Sequence, residues 1–255
     1  MLPAREGAAP VAVVVPGQRH GTPPSRQVAC ENQLLAALPD ADLKRLQPSL
    51  TLIPLEFGEW VHGEGEAIGH VYFPGRALIS LLAVADGHPP LEVGLIGPEG
   101  MVGVAAVLGG EQSTIGALVQ GGGHAMRMEL ATLLEQLEHQ PVLRRLLLAY
   151  AGTLMMQIAQ TAACNRFHVV EQRLARWLLM SSDRLLTDNF RMTHEFLSHM
   201  LGVRRVGVTE AAQALQSQHL ISYHRGDITI RDRPGLEAAA CQCYHVVRGM
   251  HPNYS

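Results

Sequence analysis

The strongest constraint in this 255-residue sequence is a change of pattern at residue 129. Before it, residues 50–128 alternate short β-prone runs with glycine-rich turns. After it, apolar residues recur every three or four positions, as they do in helices. Seven short strands are predicted, over residues 50–55, 60–62, 70–73, 77–84, 91–96, 114–120 and 125–128. Many short strands separated by glycine indicate an antiparallel barrel, roll or sandwich.

Helices are predicted on both sides of the strand-rich segment, which makes the fold class α+β. The expected helices cover residues 31–38, 41–47, 101–108, 129–139, 141–165, 170–180 and 236–247, with two more inside 193–218. After residue 218, two β-prone runs at 220–223 and 227–230 meet at Arg225-Gly226. This pair predicts a hairpin wing directly behind the two helices.

The long helix predicted over residues 141–165 carries a stripe of apolar and small side chains spaced alternately by three and four residues. The stripe consists of Leu147, Ala151, Leu154, Ile158, Thr161 and Asn165. Such spacing is typical of the seam between paired helices, so we predict a homodimer with these residues at its interface. The alternative is a helix that lies on its own β-roll.

Residues 193–218 fit a helix-turn-helix. Leu197 and Leu201 anchor the first helix, and Gly202 is suited to the tight turn. The inner face of the second helix would be formed by Val203, Val208, Ala211 and Leu215. Thr193 is placed to cap the first helix, whose amides could also meet a phosphate.

The outward side chains of this motif have the chemistry of DNA readout, with residues 203–217 as the recognition helix. The candidate DNA-binding residues are Thr193, Arg204, Arg205, Val206, Thr209, Glu210 and Gln213. Arginine can bond guanine through two donors, a carboxylate can accept from cytosine, and valine can pack on a thymine methyl. The alternative for Arg204-Arg205 is a solvated helix face.

The charge distribution favours the same end of the chain. The whole sequence has a net charge of −3, which by itself gives no indication of a polyanionic partner. From Arg166 onward, however, eleven arginines face eight acidic residues, and no lysine occurs. A net charge of +3 carried by arginine suits a region that contacts phosphate.

Several segments resemble the bacterial CRP/FNR superfamily of transcription regulators. In the helical part they are V-E-Q-R-L-A-R-W-L-L-M (170–180), T-H-E-F-L-S-H-M-L-G-V-R-R-V-G-V-T-E-A (193–211) and H-L-I-S-Y-H-R-G-D-I-T-I (219–230). In the strand-rich part, G-H-V-Y-F-P (69–74) and G-P-E-G-M-V-G (97–103) are similar to the sensor domain of that family.

The resemblance implies an antiparallel β-roll of the cyclic-nucleotide-binding type (a double-stranded β-helix), a long dimerisation helix and a C-terminal winged helix-turn-helix. The expected divisions are a flexible tail at 1–29, the sensor at 30–140, the dimerisation helix at 141–166 and the DNA-binding domain at 167–255. The implied function is a cytoplasmic, homodimeric regulator that reads a two-fold-related site in double-stranded DNA. RNA polymerase and a small-molecule effector are the further implied partners.

The ligand pocket departs from the family pattern. Where cyclic-AMP-binding members carry Gly-Glu and then Arg-Ser, this chain has Gly103-Val104 and Ser113-Thr114. No arginine occurs between residues 76 and 127. A buried phosphate without a countercharge is costly, so cyclic AMP binding is not expected. These four residues are weak candidates for ligand binding, and the effector and any cofactor stay unassigned.

The cysteines give no metal site from spacing alone. Only Cys30 lies near the N-terminus, where the family's iron-sulfur sensors cluster several cysteines. Cys241 and Cys243 are two positions apart, which fits neither a C-x-x-C pair nor a zinc knuckle. Free thiols are therefore expected for Cys30, Cys164, Cys241 and Cys243, and no metal ligand is assigned, with metal binding as the alternative. Histidines of the strand-rich segment are haem-ligand candidates by type only: His62, His70, His88 and His124. A metal- or haem-responsive sensor of the same architecture is therefore an open alternative.

Two other classes of function are the alternatives. A small β-barrel enzyme would need a motif such as H-x-H, G-x-S-x-G or a P-loop, and none occurs, so an enzyme is not expected. A module whose helix-turn-helix binds protein would show no salt-dependent DNA retention. No membrane partner is expected either, because no run approaches the roughly 20 apolar residues that span a bilayer.

Overall fold

A computed structural model of the chain describes residues 23–250 apart from Gly87. Most of the predicted tail, residues 1–22, lies outside the described residues. Three short helices come first: α1 (Arg26–Ala29), α2 (Gln33–Ala36) and α3 (Asp40–Leu46). Helix α1 falls within the segment predicted as a tail. The carboxamide oxygen of Asn32 caps α2 by accepting from two backbone amides, and its nitrogen donates to the carbonyls of Pro74 and Gly100. This buried side chain therefore ties the entry helices to the strands that follow.

Seven strands form two antiparallel sheets, as the glycine punctuation predicts. They are β1 (Thr51–Leu55), β2 (Trp60–His62), β3 (His70–Pro74), β4 (Leu78–Ala83), β5 (Leu91–Ile96), β6 (Gly116–Gly121) and β7 (Gly123–Glu129). The strand orders are β1-β7-β3 and β2-β6-β4-β5. At Gly123 a Cβ would lie 1.8 Å from the carbonyl oxygen of Arg76, so only glycine lets these segments approach. We refer to this unit as the β-roll.

The helix predicted at 101–108 is shorter than expected. It is a 3-10 helix at Val104–Leu108, because Gly103 adopts a left-handed φ of +91° immediately before it. Then come α4 (Leu130–His139) and α5 (Pro141–Phe167), a 27-residue helix that begins with proline. Leu143, Leu147 and Tyr150 of α5 are fully or almost fully buried in the core of the β-roll.

By length and composition alone, α5 could cross a membrane, with a mean hydropathy of 1.2 over its most apolar window. No such segment was predicted from the sequence. One face of α5 lies on the β-roll, but only 33% of this window is buried within the chain. Within that face, the Gln157 side chain is buried and bonds both the N–H and the carbonyl of Leu95, at 2.8 and 3.1 Å.

The predicted dimer stripe of α5 faces inward, which corrects the choice of interface. Leu147, Ala151, Leu154 and Thr161 are buried inside the single chain, and Ile158 and Asn165 are half-buried. Thr161 accepts a hydrogen bond from Arg176 and Asn165 accepts one from Arg173, each at 2.8 Å. The alternative, a helix that lies on its own β-roll, describes Leu147, Leu154 and Ile158. Thr161 and Asn165 contact α6 instead.

The C-terminal unit is a winged helix-turn-helix. Its elements are α6 (Val170–Leu185), β8 (Asn189–Arg191), α7 (His194–Leu201), α8 (Arg205–Ser217), β9 (Ile221–His224), β10 (Asp227–Ile230), α9 (Arg233–Ala239) and α10 (Cys243–Met250). The wing sheet has the order β8-β10-β9, and its first strand was not predicted. The single helix predicted over 236–247 is wrong: the structure has two helices, separated at residues 240–242.

The β-roll and the C-terminal unit share one apolar core. Leu78 and Leu95 from the β-roll are buried in the same cluster as Leu174 and Leu178 from α6. The first helix of the helix-turn-helix also lies on the roll, since the rings of Phe57 and Phe196 are 5.7 Å apart. The position of the helix-turn-helix is therefore fixed by contacts with the β-roll of the same chain.

Candidate nucleic-acid interface and effector cavity

The turn between α7 and α8 has the geometry that the sequence predicts. Gly202 ends α7 with φ +60° and ψ +41°, and its N–H bonds back to the last turn of the helix. A Cβ at this position would lie 2.5 Å from Leu91 of the β-roll, so a larger residue would be both strained and obstructed. Arg204 is extended and α8 starts at Arg205, two residues later than the predicted start at 203.

The inner face of the motif is packed as expected. Leu197 and Leu201 on α7 are buried, and so are Val208 and Leu215 on α8. Ser198 is also buried, and its hydroxyl donates to the carbonyl of Glu195 at 2.6 Å. These contacts hold α8 against α7 and α6, which decides which of its side chains face outward.

Five of the predicted DNA-contacting side chains form one exposed surface at the amino end of α8. They are Arg204, Arg205, Val206, Glu210 and Gln213. Thr193, at the amino end of α7, caps that helix by accepting from the amide of Phe196 at 3.1 Å. Thr209 is half-buried, and its hydroxyl lies 2.9 Å from Nδ1 of His194 and donates to the carbonyl of Arg205. The Thr209 hydroxyl is thus already engaged within the protein.

His194 was not singled out from the sequence, yet it joins three elements of the motif. Its ring stacks on Tyr223 of the wing with centroids 4.4 Å apart and planes 12° apart. The Tyr223 hydroxyl donates to the carbonyl of Met192 at 3.2 Å. Partial burial lowers the pKa of His194, and the positive charge of Arg205 lowers it further. No sequence signal identifies such a histidine, because the stack forms between residues that are far apart in the chain.

The wing turns at Arg225 and Gly226, which both have positive φ, of 50° and 93°. The tip exposes His224 and Arg225 to solvent. Arg225 was predicted as a turn residue and not as a DNA contact. A hairpin of this shape beside a recognition helix would bring the exposed guanidinium close to a phosphate backbone.

The four weak ligand candidates line one cavity in the β-roll. Gly103, Val104, Ser113 and Thr114 lie on its wall, together with residues from β4, β5 and α5. The volume is about 250 Å³. Three residues of the predicted dimer stripe, Ala151, Leu154 and Ile158, line this cavity as well.

The cavity wall is largely apolar, and its described residues include no arginine, lysine or carboxylate. The Ser113 hydroxyl donates to the carbonyl of Ile115 at 2.6 Å. Nδ1 of His62 is buried without a hydrogen-bond partner among the described residues, and burial lowers the pKa of this histidine. The cavity therefore suits a neutral, mostly apolar molecule.

A separate cluster of four potential metal ligands was not predicted. Cys164, His168, Cys241 and Cys243 place their sulfur and ring-nitrogen atoms within 4.8 Å of one another. The neighbouring Cys241 thiol, and then the positive charge of Arg176, lower the pKa of Cys164 to about 5, against the opposing effect of burial. The C-x-C pair at 241 and 243 is the only trace of this cluster in the sequence.

The comparisons with known proteins agree with this geometry. Residues 172–239 match the Crp-like helix-turn-helix domain. The FixK2 structure from Bradyrhizobium japonicum has a TM-score of 0.65 and 16% identity, over 75% of this chain and 98% of that chain. A CRP-family transcriptional regulator from Thermus thermophilus has a TM-score of 0.62 and 17% identity, over 74% of this chain and 96% of that chain.

A third similar structure is CLP from Xanthomonas campestris, a c-di-GMP responsive global regulator. Its TM-score is 0.63 at 14% identity, over 75% of this chain and 99% of that chain. No curated protein matches the sequence. At these identities the structural likenesses show the fold. The chain thus has the fold of CRP/FNR-family transcription regulators and carries a Crp-like helix-turn-helix DNA-binding domain, as predicted.

Proposed function

Starting from that fold and domain, we propose that this chain is a homodimeric transcription regulator that reads a two-fold-related site in double-stranded DNA with α8. The observation that carries the proposal is the exposed surface at the amino end of α8, where Arg204, Arg205 and Val206 adjoin Glu210 and Gln213. Recognition helices present their amino-terminal residues to base edges in the major groove. We place its action in the cytoplasm, where the sensor β-roll (30–140) would control the DNA-binding domain (167–255).

The residues around this surface fit a division between base readout and phosphate contact. Arg204 and Arg205 offer the forked donors that bond guanine, and Glu210 can accept from cytosine. The capped amino end of α7, at Thr193, and the exposed Arg225 of the wing offer donors to the backbone on either side. Thr209 acts in this arrangement by holding α8 to His194 rather than by reading a base.

The homodimer is supported by an exposed stripe on α5, on the face next to the predicted one and about 100° around the helix from it. The stripe consists of Leu148, Gly152, Met155, Ala159 and Ala162, spaced by four, three, four and three residues. Met155 is 66% exposed and Leu148 is 44% exposed in the single chain. Alternation of large and small residues at this spacing allows two antiparallel or parallel helices to pack closely. We propose this stripe as the dimer interface.

The proposed signal is a neutral, mostly apolar small molecule in the β-roll cavity. Leu154 and Ile158 of α5 line that cavity, while the adjoining Met155 belongs to both its wall and the exposed stripe. A ligand there would contact the helix that we propose as the dimer interface. Such a ligand would shift the relative position of the two DNA-binding domains if it binds one arrangement of the dimer more tightly than the other. Contact with RNA polymerase is carried over from the resemblance alone.

The experiment that tests DNA binding is retention of DNA by the purified full chain at several salt concentrations. The parent is expected to bind double-stranded DNA with an affinity that falls steeply with salt. The double variant Arg204→Ala/Arg205→Ala should weaken binding at every salt concentration, because each arginine is proposed to contact a base. The matched control is Arg45→Ala, which removes an exposed arginine of α3, beside the β-roll.

Two outcomes would refute the proposal. One is retention that does not depend on salt, which would favour a protein-binding role for the helix-turn-helix. The other is that Arg45→Ala weakens DNA binding as much as the Arg204→Ala/Arg205→Ala variant does. That result would show that α8 does not form the DNA-contacting surface.

A further inference from the structure

The cluster of Cys164, His168, Cys241 and Cys243 lies where the long helix meets the end of the chain. Cys164 is in the last turn of α5 and His168 directly follows that helix. Cys241 is in the break between α9 and α10, and Cys243 is the first residue of α10. This break between α9 and α10, which was not predicted from the sequence, turns both cysteines toward α5.

Two of the distances in the cluster match those between the ligands of a tetrahedral metal ion, and all four ligand atoms lie within 4.8 Å of one another. Sγ of Cys164 is 3.5 Å from Sγ of Cys241, and Sγ of Cys243 is 3.5 Å from Nδ1 of His168. A zinc ion with Zn–S bonds of about 2.3 Å and a Zn–N bond of about 2.0 Å separates its ligand atoms by roughly 3.5–3.8 Å. All three cysteines are free thiols.

The surroundings of the cluster favour a metal site over three thiols that pack only as small apolar groups. The three sulfur-bearing residues are buried and form a small cluster apart from the two main cores. Gln160 donates to the sulfur of Cys243 at 3.0 Å, which orients that side chain. Thiols that serve only as apolar packing groups do not need an imidazole nitrogen and a carboxamide donor next to the same sulfur.

The charges nearby also suit an occupied site. A divalent ion bound by three thiolates and one neutral imidazole has a net charge of −1. Arg176 and Arg173 are buried beside the cluster, and the Nε of each has no hydrogen-bond partner among the described residues. Their positive charge would offset the excess negative charge of the metal site, which lowers the cost of burying it.

We propose that Cys164, His168, Cys241 and Cys243 bind one zinc ion in a closed tetrahedral site that fastens α10 to the carboxyl end of α5. Three sulfur ligands and one imidazole are the donor set of structural zinc, and four protein ligands leave no open position for substrate. The ion would hold the last helix at the junction between the proposed dimer helix and the DNA-binding domain. This site is independent of the β-roll cavity and of the DNA-contacting surface.

The test is metal analysis of the full chain, purified with a reductant and without added metal. About one zinc per chain is expected in the parent and in Cys30→Ser, whose cysteine lies outside the cluster in the amino-terminal segment. Cys243→Ser and His168→Ala should each retain well under half of that amount. Cobalt exchanged into the parent should give the charge-transfer absorption of thiolate-bound tetrahedral Co²⁺, and both cluster variants should weaken it.

The proposal is overturned if the reduced parent holds no zinc and gives no thiolate–cobalt absorption. It is equally overturned if Cys30→Ser loses as much metal as Cys243→Ser. A disulfide between Cys164 and Cys241 in the freshly purified protein, seen as a mass two hydrogens lower, would make the pair a redox couple instead. Should Cys243→Ser fail to fold, His168→Ala and the parent's own metal content still decide the question.

Discussion

The indole Nε1 of Trp177 donates a hydrogen bond to Oε1 of Glu92 over 3.0 Å, which joins α6 to β5 across the boundary between the two units. The second carboxylate oxygen of Glu92 accepts from the hydroxyl of Ser80 and from Nε2 of Gln120. Glu92, Ser80 and Gln120 are all buried, so this polar network lies inside the protein. Ionisation of the Glu92 carboxyl group therefore changes hydrogen bonds in both units.

Glu92 should make stability depend on pH. Burial raises its pKa to about 7, although hydrogen bonds from Ser80, Trp177 and Gln120 act the other way. Because the folded-state pKa lies above the unfolded value of 4.5, the stability contribution is fully present below about pH 4.5 and is lost as pH rises through about 7. The loss should be at most about 3 kcal/mol.

Denaturant unfolding at pH 5 and pH 8 checks this prediction. Glu92→Gln cannot ionise, so it should lose less stability than the parent between the two values. The exposed Glu64→Gln serves as the control and should follow the parent. If Glu92→Gln and the parent lost equal stability, the raised pKa would be refuted.

Arg205 should determine sequence choice at one base pair of each half-site. It is the first residue of α8 and is exposed. Loss of one two-donor contact with guanine in Arg205→Ala should cost about 1–3 kcal/mol and relax preference at that base pair. Selection from a randomised operator library by mutant and parent measures this. Unchanged base preference at every position would make Arg205 a phosphate contact, and Arg204 or Glu210 the candidate for readout.

The exposed stripe of α5 should hold the dimer together. Met155→Lys places a charge in the centre of the proposed seam, so the dimer should dissociate at micromolar concentration and DNA affinity should fall with it. Light scattering reports the mass of each species. Leu134→Lys makes the same change at an exposed apolar site on α4 and should leave the dimer intact. A parent that is monomeric, of 27.7 kDa, would contradict the prediction outright.

Cyclic AMP should not bind tightly. The described residues that line the cavity include no cation to pair with the cyclic phosphate. Arg76 is outside the wall, is mostly exposed, and lies 3.4 Å from a carboxylate oxygen of Glu31. Calorimetry of the purified chain should give no micromolar binding. Micromolar or tighter affinity would require an arginine such as Arg76 or Arg127 to move into the cavity.

Elements whose signals are local can be predicted from the order of residues alone. Glycine between short β-prone runs predicts the β-roll, and Gly202 between two apolar-faced segments predicts the helix-turn-helix. The Arg225-Gly226 turn likewise predicts the wing. Each of these depends on backbone conformation or on periodicity within a few residues, which a sequence displays directly.

Contacts between groups that are far apart in the chain depend on how whole elements pack. Two stripes of α5, one through Leu154 and one through Met155, have the same alternating spacing, and the position of the β-roll decides which is buried. Cys164 and Cys241 are 77 positions apart in the sequence. They meet because α9 and α10 are separate helices, and no glycine or proline lies between them to indicate the break in the helix. Packing of whole elements, rather than local preference, brings such side chains together, and it also determines which carboxylate is buried beside Trp177.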